Sequence, residues 1–233
     1  MNKEEQVYKM LDKVHDPELD QPLTALGFID STIVDHDRVE VVFRLPTYWC
    51  SPNFAFIMAE DINKYVSELG WVKEVKVNLI DHCASDEINN GVKDRKSFSE
   101  SFSKLSGGDL EELRQTFQIK AFYARQEKIM KYLLKNQMSK EELITLTYDE
   151  LNQLDLSNEG KRICDHYLEK KEEFNHKTSL VFTTPEGDAL IPDTFSEYLL
   201  RAKRTRLSMD IGGQYCRGLL EARYDLKART AEC

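Results

Sequence analysis

No stretch of this 233-residue chain approaches the roughly 20 consecutive apolar residues that a membrane span requires, and its mean hydropathy is -0.54. The N-terminus, MNKEEQVYKMLDKV, carries charges where a secretory signal has its apolar core. No such signal is read, and the chain is expected in the cytoplasm. CxxC is missing as well. The five cysteines, Cys50, Cys83, Cys164, Cys216 and Cys233, are odd in number and widely spaced, which excludes a zinc ribbon or a thioredoxin motif. In a reducing compartment they are expected as thiols, metal ligands or buried apolar groups rather than disulfides. There is no surplus of basic charge either: 32 Lys and Arg stand against 41 Asp and Glu, net -9. The whole acidic excess lies in residues 1–92, with 8 basic and 17 acidic side chains. Phosphate contacts need a basic surface, so nucleic-acid binding is excluded for that part. What is present is a 41% hydrophobic, 31% charged mixture, enough apolar material for a core and too much for wholesale disorder.

Read in order, residues 3–14 suit a short amphipathic helix with Val7, Met10, Leu11 and Val14 on one face. HDPELDQPL breaks it with Pro17 and Pro22. FIDSTIVDHDRVEVVFRLP reads as two strands joined at Asp35-His36-Asp37, and Pro46 and Pro52 bracket the tight loop TYWCS. Asn53–Leu69 has helical spacing of Phe54, Ile57, Met58, Ile62, Tyr65, Val66 and Leu69, with Gly70 as the stop. VKEVKVNLI alternates as a strand. The fold class is therefore α+β: a small α-β-β-α-β domain over 1–92, then a mainly helical part. Five serines and a Gly-Gly pair in 93–108 read as a linker. Residues 109–233 read as a helical extension: a long helix opened by an Asp109/Glu112 capping box, two short helices opened by Ser139/Glu142 and Thr147/Glu150, another over 159–175, a β-hairpin near 179–191 turning at Pro185-Glu186-Gly187-Asp188, and a last helix capped by Thr194.

Two places can carry chemistry. Cys50 stands between two prolines just before a helix, where the positive end of the dipole favours thiolate, the form that holds iron or zinc; the plainer alternative is a small buried apolar residue. His82 and Cys83 follow the third strand. If that strand runs parallel to the second, its end lies beside the Cys50 loop. Two thiols and an imidazole would then share one cleft, a donor set for zinc or an iron–sulfur cluster; a polar strand end with one chance cysteine is the alternative. Cys216 lies between glycines in Gly212-Gly213-Gln214-Tyr215-Cys216-Arg217-Gly218, either a close-approach binding loop or a helix-entry turn with a packed thiol. Cys164 has core spacing on a helix, and Cys233 is the last residue. The short basic run Arg201, Lys203, Arg204, Arg206 reads as a solvated face or a patch for an acidic partner.

HDPELDQPLTALGFID, the following hairpin, PTYWCSPNFAFIMAEDI and WVKEVKVNL resemble the SufT/PaaD-type iron–sulfur cluster assembly factors over about residues 4–92. The resemblance implies an auxiliary factor, not an enzyme, that matures iron–sulfur or other metal proteins. Asp16 and Glu18 are then the motif acids, and Thr47 and Cys50 the loop residues. Both acids also have a structural reading, Asp16 capping the turn and Glu18 pairing locally. Many relatives have Cys-Pro where this chain has Cys50-Ser51-Pro52, and His82-Cys83 is not implied by the family. The expected cargo is an iron–sulfur cluster, transiently held, or a metal ion such as iron or zinc. The expected partners are the assembly machinery and a client metalloenzyme docked by the C-terminal helices. PaaD-type relatives imply a multicomponent di-iron monooxygenase as one such client, and a single thiol per chain favours a homodimer. The competing readings are a metal-free chaperone or adaptor, and a thiol enzyme with Cys50 as nucleophile and His82 as base.

Overall fold

A computed structural model describes residues 1–102 and 110–226. The chain forms two compact units, one from Met1–Arg114 with Ile211–Cys233, the other from Gln115–Asp210.

In the first unit, α1 (Lys3–Leu11) opens with a capping box between Asn2 and Glu5 and buries Val7 and Leu11. The DPE segment that follows is stitched by a two-residue antiparallel ladder, β1 (His15–Asp16) on β2 (Gln21–Pro22). A short helix, α2 (Leu23–Leu26), stops at Gly27 with φ 75°, a left-handed cap that glycine adopts without strain. β3 (Ile29–Asp35) and β4 (Arg38–Arg44) form the expected hairpin, and His36 turns it at φ 56°. α3 (Pro52–Ser67) is the crossover that lets β5 (Glu74–Ile80) return parallel to β4. The sheet order is β3-β4-β5.

Period-two alternation sends Val39, Val41 and Phe43 of β4 and Val77 and Leu79 of β5 into one core with Phe56, Met58, Ile62 and Val66 of α3. The other face carries cross-strand ion pairs, Lys76 to Glu40 at 2.8 Å and Arg38 to Glu74 at 3.0 Å. These are exposed and contribute little.

The stretch read as a linker differs. Residues 93–102 are built into the first unit: α4 (Ser85–Lys93) is followed by α5 (Phe98–Ser101), whose Ser97/Glu100 capping box uses serine to start a helix rather than to loosen the chain. Phe98 and Phe102 stack at 4.5 Å and pack edge-on against Phe56 at 5.6 and 6.4 Å. Gly91 is needed at this crossing, because a Cβ there would stand 2.3 Å from the Ser101 hydroxyl. Serine content hid two buried phenylalanines. Residues 103–109, the rest of that stretch, and the Asp109 cap lie outside the described residues.

The second unit is helical, as expected. α6 (Leu110–Lys135) enters it, followed by α7 (Lys140–Thr145), α8 (Tyr148–Gln153) and α9 (Asn158–Glu172). Both repeated capping boxes form, Ser139 with Glu142 and Thr147 with Glu150. Phe122, Tyr167 and Phe182 fill its core. The buried Gln126 amide donates to Tyr167 Oη and to the Thr183 carbonyl, both at 2.8 Å, and accepts from Tyr198 Oη at 2.6 Å. The hairpin expected at 179–191 shrinks to one bridge, Thr183 to Ala189, around a turn with Gly187 at φ 96°. Thr194 sits in a 3-10 turn, its hydroxyl donating to the Ile191 carbonyl at 3.4 Å. α10 (Phe195–Tyr224) follows, one 30-residue helix whose last part, from Ile211, belongs to the first unit. No helix among the described residues is long and apolar enough to cross a membrane.

If Phe98 is structural rather than part of a tether, Phe98→Ala opens a cavity beside Phe56. It should lower stability by about 3 kcal/mol, read as a shifted urea midpoint on the full chain. A change within about 0.5 kcal/mol, the range typical of exposed positions, would show that the segment is a linker after all.

Candidate metal and cluster site

The parallel pairing of β4 with β5 sets their C-terminal ends side by side, register Arg44 to Ile80. The loops that leave these two ends meet. After β4, Leu45 and Pro46 are buried, and Thr47–Ser51 forms an outward loop before α3. After β5, Asp81 takes φ 54° and turns the chain sharply into His82-Cys83. Two hydrogen bonds staple the loops together: His82 Nε2–H to the Cys50 carbonyl at 2.8 Å, and the Cys83 amide to the Tyr48 carbonyl at 3.0 Å. The expected adjacency of the Cys50 loop and the His82-Cys83 turn is therefore present at the level of the backbone.

The side chains sort differently from the expected cleft. Cys50 is half-buried, with its sulfur 3.3 Å from the Thr47 hydroxyl. Thr47 is thus the group that touches the thiol. His82 is 5% exposed, and both ring nitrogens are committed: Nε2 to Cys50 as above, and Nδ1 as acceptor from the Ala84 amide at 3.2 Å. This network assigns the neutral Nε2–H tautomer. Burial lowers the His82 pKa against the opposing effect of the Cys50 carbonyl, and the Arg223 guanidinium lowers it further. An imidazole so engaged has no lone pair left for a metal, and it faces a carbonyl rather than the thiol. It is a clamp on the Cys50 loop, neither the ligand nor the general base that the sequence suggested. Cys83 is exposed. Among the described residues no group of three Cys, His, Asp or Glu could hold a metal ion, so Cys50, His82 and Cys83 do not make a three-ligand site.

Asp16 is buried at the β1 end, and its Oδ1 accepts from the Glu18 and Leu19 amides, each at 2.9 Å. That is the turn-capping role. Burial pushes its pKa up to about 6, the two amide bonds pull against this, and the Glu18 charge adds to the rise. Glu18 itself is exposed.

Cys216 is neither in a loop nor at a helix entry. It lies inside α10, half-buried: Gly212 and Gly213 are helical residues whose backbone packs closely on Leu19 and Gln21, while Gly218 has open space around it. Burial raises its pKa to about 11, with Asp16, Cys50 and Glu18 adding to the effect.

Sequence reasoning missed Arg223. Its guanidinium donates to the Leu45 carbonyl at 3.1 Å and to the Asp81 carbonyl at 2.7 Å, bridging the ends of β4 and β5. It also missed Asn89 of α4, whose amide bonds the Leu79 backbone on both sides, at 2.8 and 3.0 Å. Nothing in local pattern marks either residue, since their partners are distant backbone groups. Tyr48 and Trp49, beside Cys50, are exposed, Trp49 at 77%, and pack edge-to-face at 4.9 Å.

Compared with known families, residues 4–79 match the iron–sulfur cluster assembly protein family. The match runs from α1 nearly to the end of β5, about a third of the chain, and includes Asp16, Glu18, Thr47 and Cys50. It stops before His82, Cys83 and Cys216. No curated protein matches the chain.

The neutral His82 has a pH consequence. Its folded pKa lies below the unfolded value, near 6.5, so the unfolded chain binds the extra proton. Its contribution to stability is complete above about pH 6.5 and is lost as the pH falls toward the lower folded value. Asp16, raised to about 6, has the opposite sign: its contribution is complete below about 3.8 and is lost as the pH rises through 6. Comparing the parent with His82→Gln cancels Asp16. The stability difference between the two should shrink as the pH drops from 7 to 5, followed by urea denaturation. A pH-independent difference would mean that His82 is not buried neutral.

Proposed function

We propose that this chain, whose residues 4–79 match the iron–sulfur cluster assembly protein family, is an accessory factor that receives an iron–sulfur cluster or a metal ion such as iron or zinc at Cys50 and passes it to a client metalloprotein. The observation that carries the reading is the Cys50 loop itself. A half-buried thiol touches a hydroxyl, on a loop pinned from behind by a neutral imidazole, at the mouth of two parallel strand ends. Crevices outside the carboxyl ends of parallel strands are where open sheets present their ligands.

Transfer requires a site that is held in shape but incompletely coordinated. The Cys50 loop is stapled through its backbone, which leaves the sulfur for cargo. No three-donor group occurs among the described residues. The remaining ligands then come from the assembly machinery, the client or a second copy of the chain, which makes a homodimer one form of the loaded state. Exposed Tyr48 and Trp49 flank the thiol and suit contact with such a partner, since aromatic residues dominate interface hot spots. The helices of the second unit serve to dock the client. By the likeness to PaaD-type factors, that client is a multicomponent di-iron monooxygenase. The factor works in the cytoplasm, where its thiols stay reduced.

A thiol-enzyme reading loses ground because the imidazole bonds the Cys50 carbonyl rather than its sulfur. The metal-free adaptor is the alternative that the test must separate. Cys50→Ser is nearly isosteric at a half-buried loop position and should leave stability within about 0.5 kcal/mol while abolishing client maturation. Measured as cluster content of the co-expressed client, full maturation with a folded Cys50→Ser chain would turn the reading toward the adaptor.

A further inference from the structure

The short basic run on α10 has no part in the cargo site, and the structure sorts its members. Arg206 turns into the second unit, where its Nε pairs with the buried carboxylate of Glu127 and its Nη1 stands 2.6 Å from Asp210. Arg201, Lys203 and Arg204 stay exposed. Among the described residues no carboxylate forms an ion pair with Arg201 or Arg204. These two arginines line a surface cleft of about 590 Å³ beside the first turns of α10, together with Glu197, Tyr198 and Leu200. Lys203, between them in sequence, points away from the cleft lining.

The cleft is prepared for an anion. The Arg201 guanidinium lies over the Tyr123 ring, 4.9 Å from its centre. Tyr123 packs at 5.5 Å against Tyr198, whose hydroxyl donates to the Gln126 side-chain oxygen at 2.6 Å and to the Thr183 carbonyl at 3.1 Å. A guanidinium stacked on a ring keeps its in-plane N–H groups free to fork onto a carboxylate. Because the ring already holds this long side chain, less freedom is lost when it binds. Leu200, 46% exposed, gives the same cleft an apolar contact. Glu197, one turn earlier on α10, repels an anion at its own end and so directs it toward Arg201 and Arg204.

We propose that this cleft seats an acidic peptide segment of a protein partner, with a carboxylate forked onto Arg201, Arg204 as the second charge and Leu200 against a neighbouring apolar side chain. The proposal rests on the reading of the second unit as the part that docks the client, and it names the chemistry of that contact. An acidic peptide fits better than the other anions. A free phosphate would leave Leu200 unused, and a nucleic acid would meet a chain of net charge -9. Arginine is also the basic residue that protein interfaces favour.

The test uses the full chain and a fluorescein-labelled peptide of alternating Glu and Leu, followed by anisotropy at low ionic strength, where exposed charges are least screened. The parent should bind this peptide and not its Lys-Leu counterpart. The Kd should rise several-fold in Arg204→Glu and about tenfold or more when Arg201→Glu is added, since two attractive pairs become repulsive. Lys203→Glu makes the same charge change outside the cleft and should shift the Kd less than about twofold. All three positions are exposed, so the variants should fold, and Arg204→Glu leaves the stacked Arg201 in place. The cleft is overturned if the parent ignores the Glu-Leu peptide, or if Lys203→Glu weakens binding as much as Arg204→Glu. A salt-sensitive self-association of the parent that Arg204→Glu abolishes, without peptide binding, would overturn the peptide and make a second copy the occupant. Cys50→Ser should bind the peptide as the parent does. Normal client maturation in Cys50→Ser, with the cleft still selecting the acidic peptide, would sink the cargo reading and leave the cleft standing.

Discussion

Everything at the candidate site depends on β5 pairing in parallel with β4. An antiparallel return would have put the end of β5 beside the start of β4, a strand length away from Thr47 and Cys50. The parallel return needs a long crossover, and α3 provides it while covering the core face of the sheet. One helix thus satisfies two demands. Its apolar side completes the core, and its N-terminal entry fixes where the Cys50 loop must end. Seven consecutive register pairs, from Arg38–Glu74 to Arg44–Ile80, hold the two strand ends level. A one-residue slip would invert Val77 and Leu79 out of the core, so the hydrophobic pattern and the loop geometry are enforced by the same contacts.

Backbone groups do most of the positioning here. The Cys50 carbonyl, the Tyr48 carbonyl, and the Leu45 and Asp81 carbonyls are all bonded by partners remote in sequence. Buried or partly buried carbonyls at strand ends would otherwise lack a ladder partner, and leaving such groups unmet costs about 1–3 kcal/mol each. His82 and Arg223 meet that need, and in doing so they hold the loop without occupying the Cys50 sulfur. The division between clamps and thiol explains how a loop can be rigid while its reactive atom stays open.

Much of this was legible in the sequence. Alternation in VEVVF and VKVNL set the sheet, the Pro46–Pro52 bracket set the loop, and the order of helix and strands required a parallel third strand. That was enough to bring His82-Cys83 to Cys50. What could not be read was where the ring nitrogens and sulfurs would point, because that depends on carbonyl partners which any residue supplies equally. Composition misled in one stretch: serines near 97–101 suggested a tether, while Phe98 and Phe102 had already declared a packed segment. Gly212 and Gly213 before Cys216 carried a true signal of close approach, but of helix against turn rather than of a loop around a ligand, and Gly218 carried none. Asn89 and Arg223 left no trace in local pattern, since their roles exist only once distant segments meet.

Arg223 joins the ends of β4 and β5, yet it is synthesised long after them. The first residue of the returning segment, Ile211, leaves the ribosome 131 residues behind Ile80, which at ordinary elongation rates is roughly 7 to 26 s later. During that interval the three-stranded sheet and its crossover can already be formed while the strand-end carbonyls still face water. The nascent chain therefore passes through a stage at which the Cys50 loop is present but its last brace is not. Order of translation, as well as affinity, thereby sets when the loop is complete.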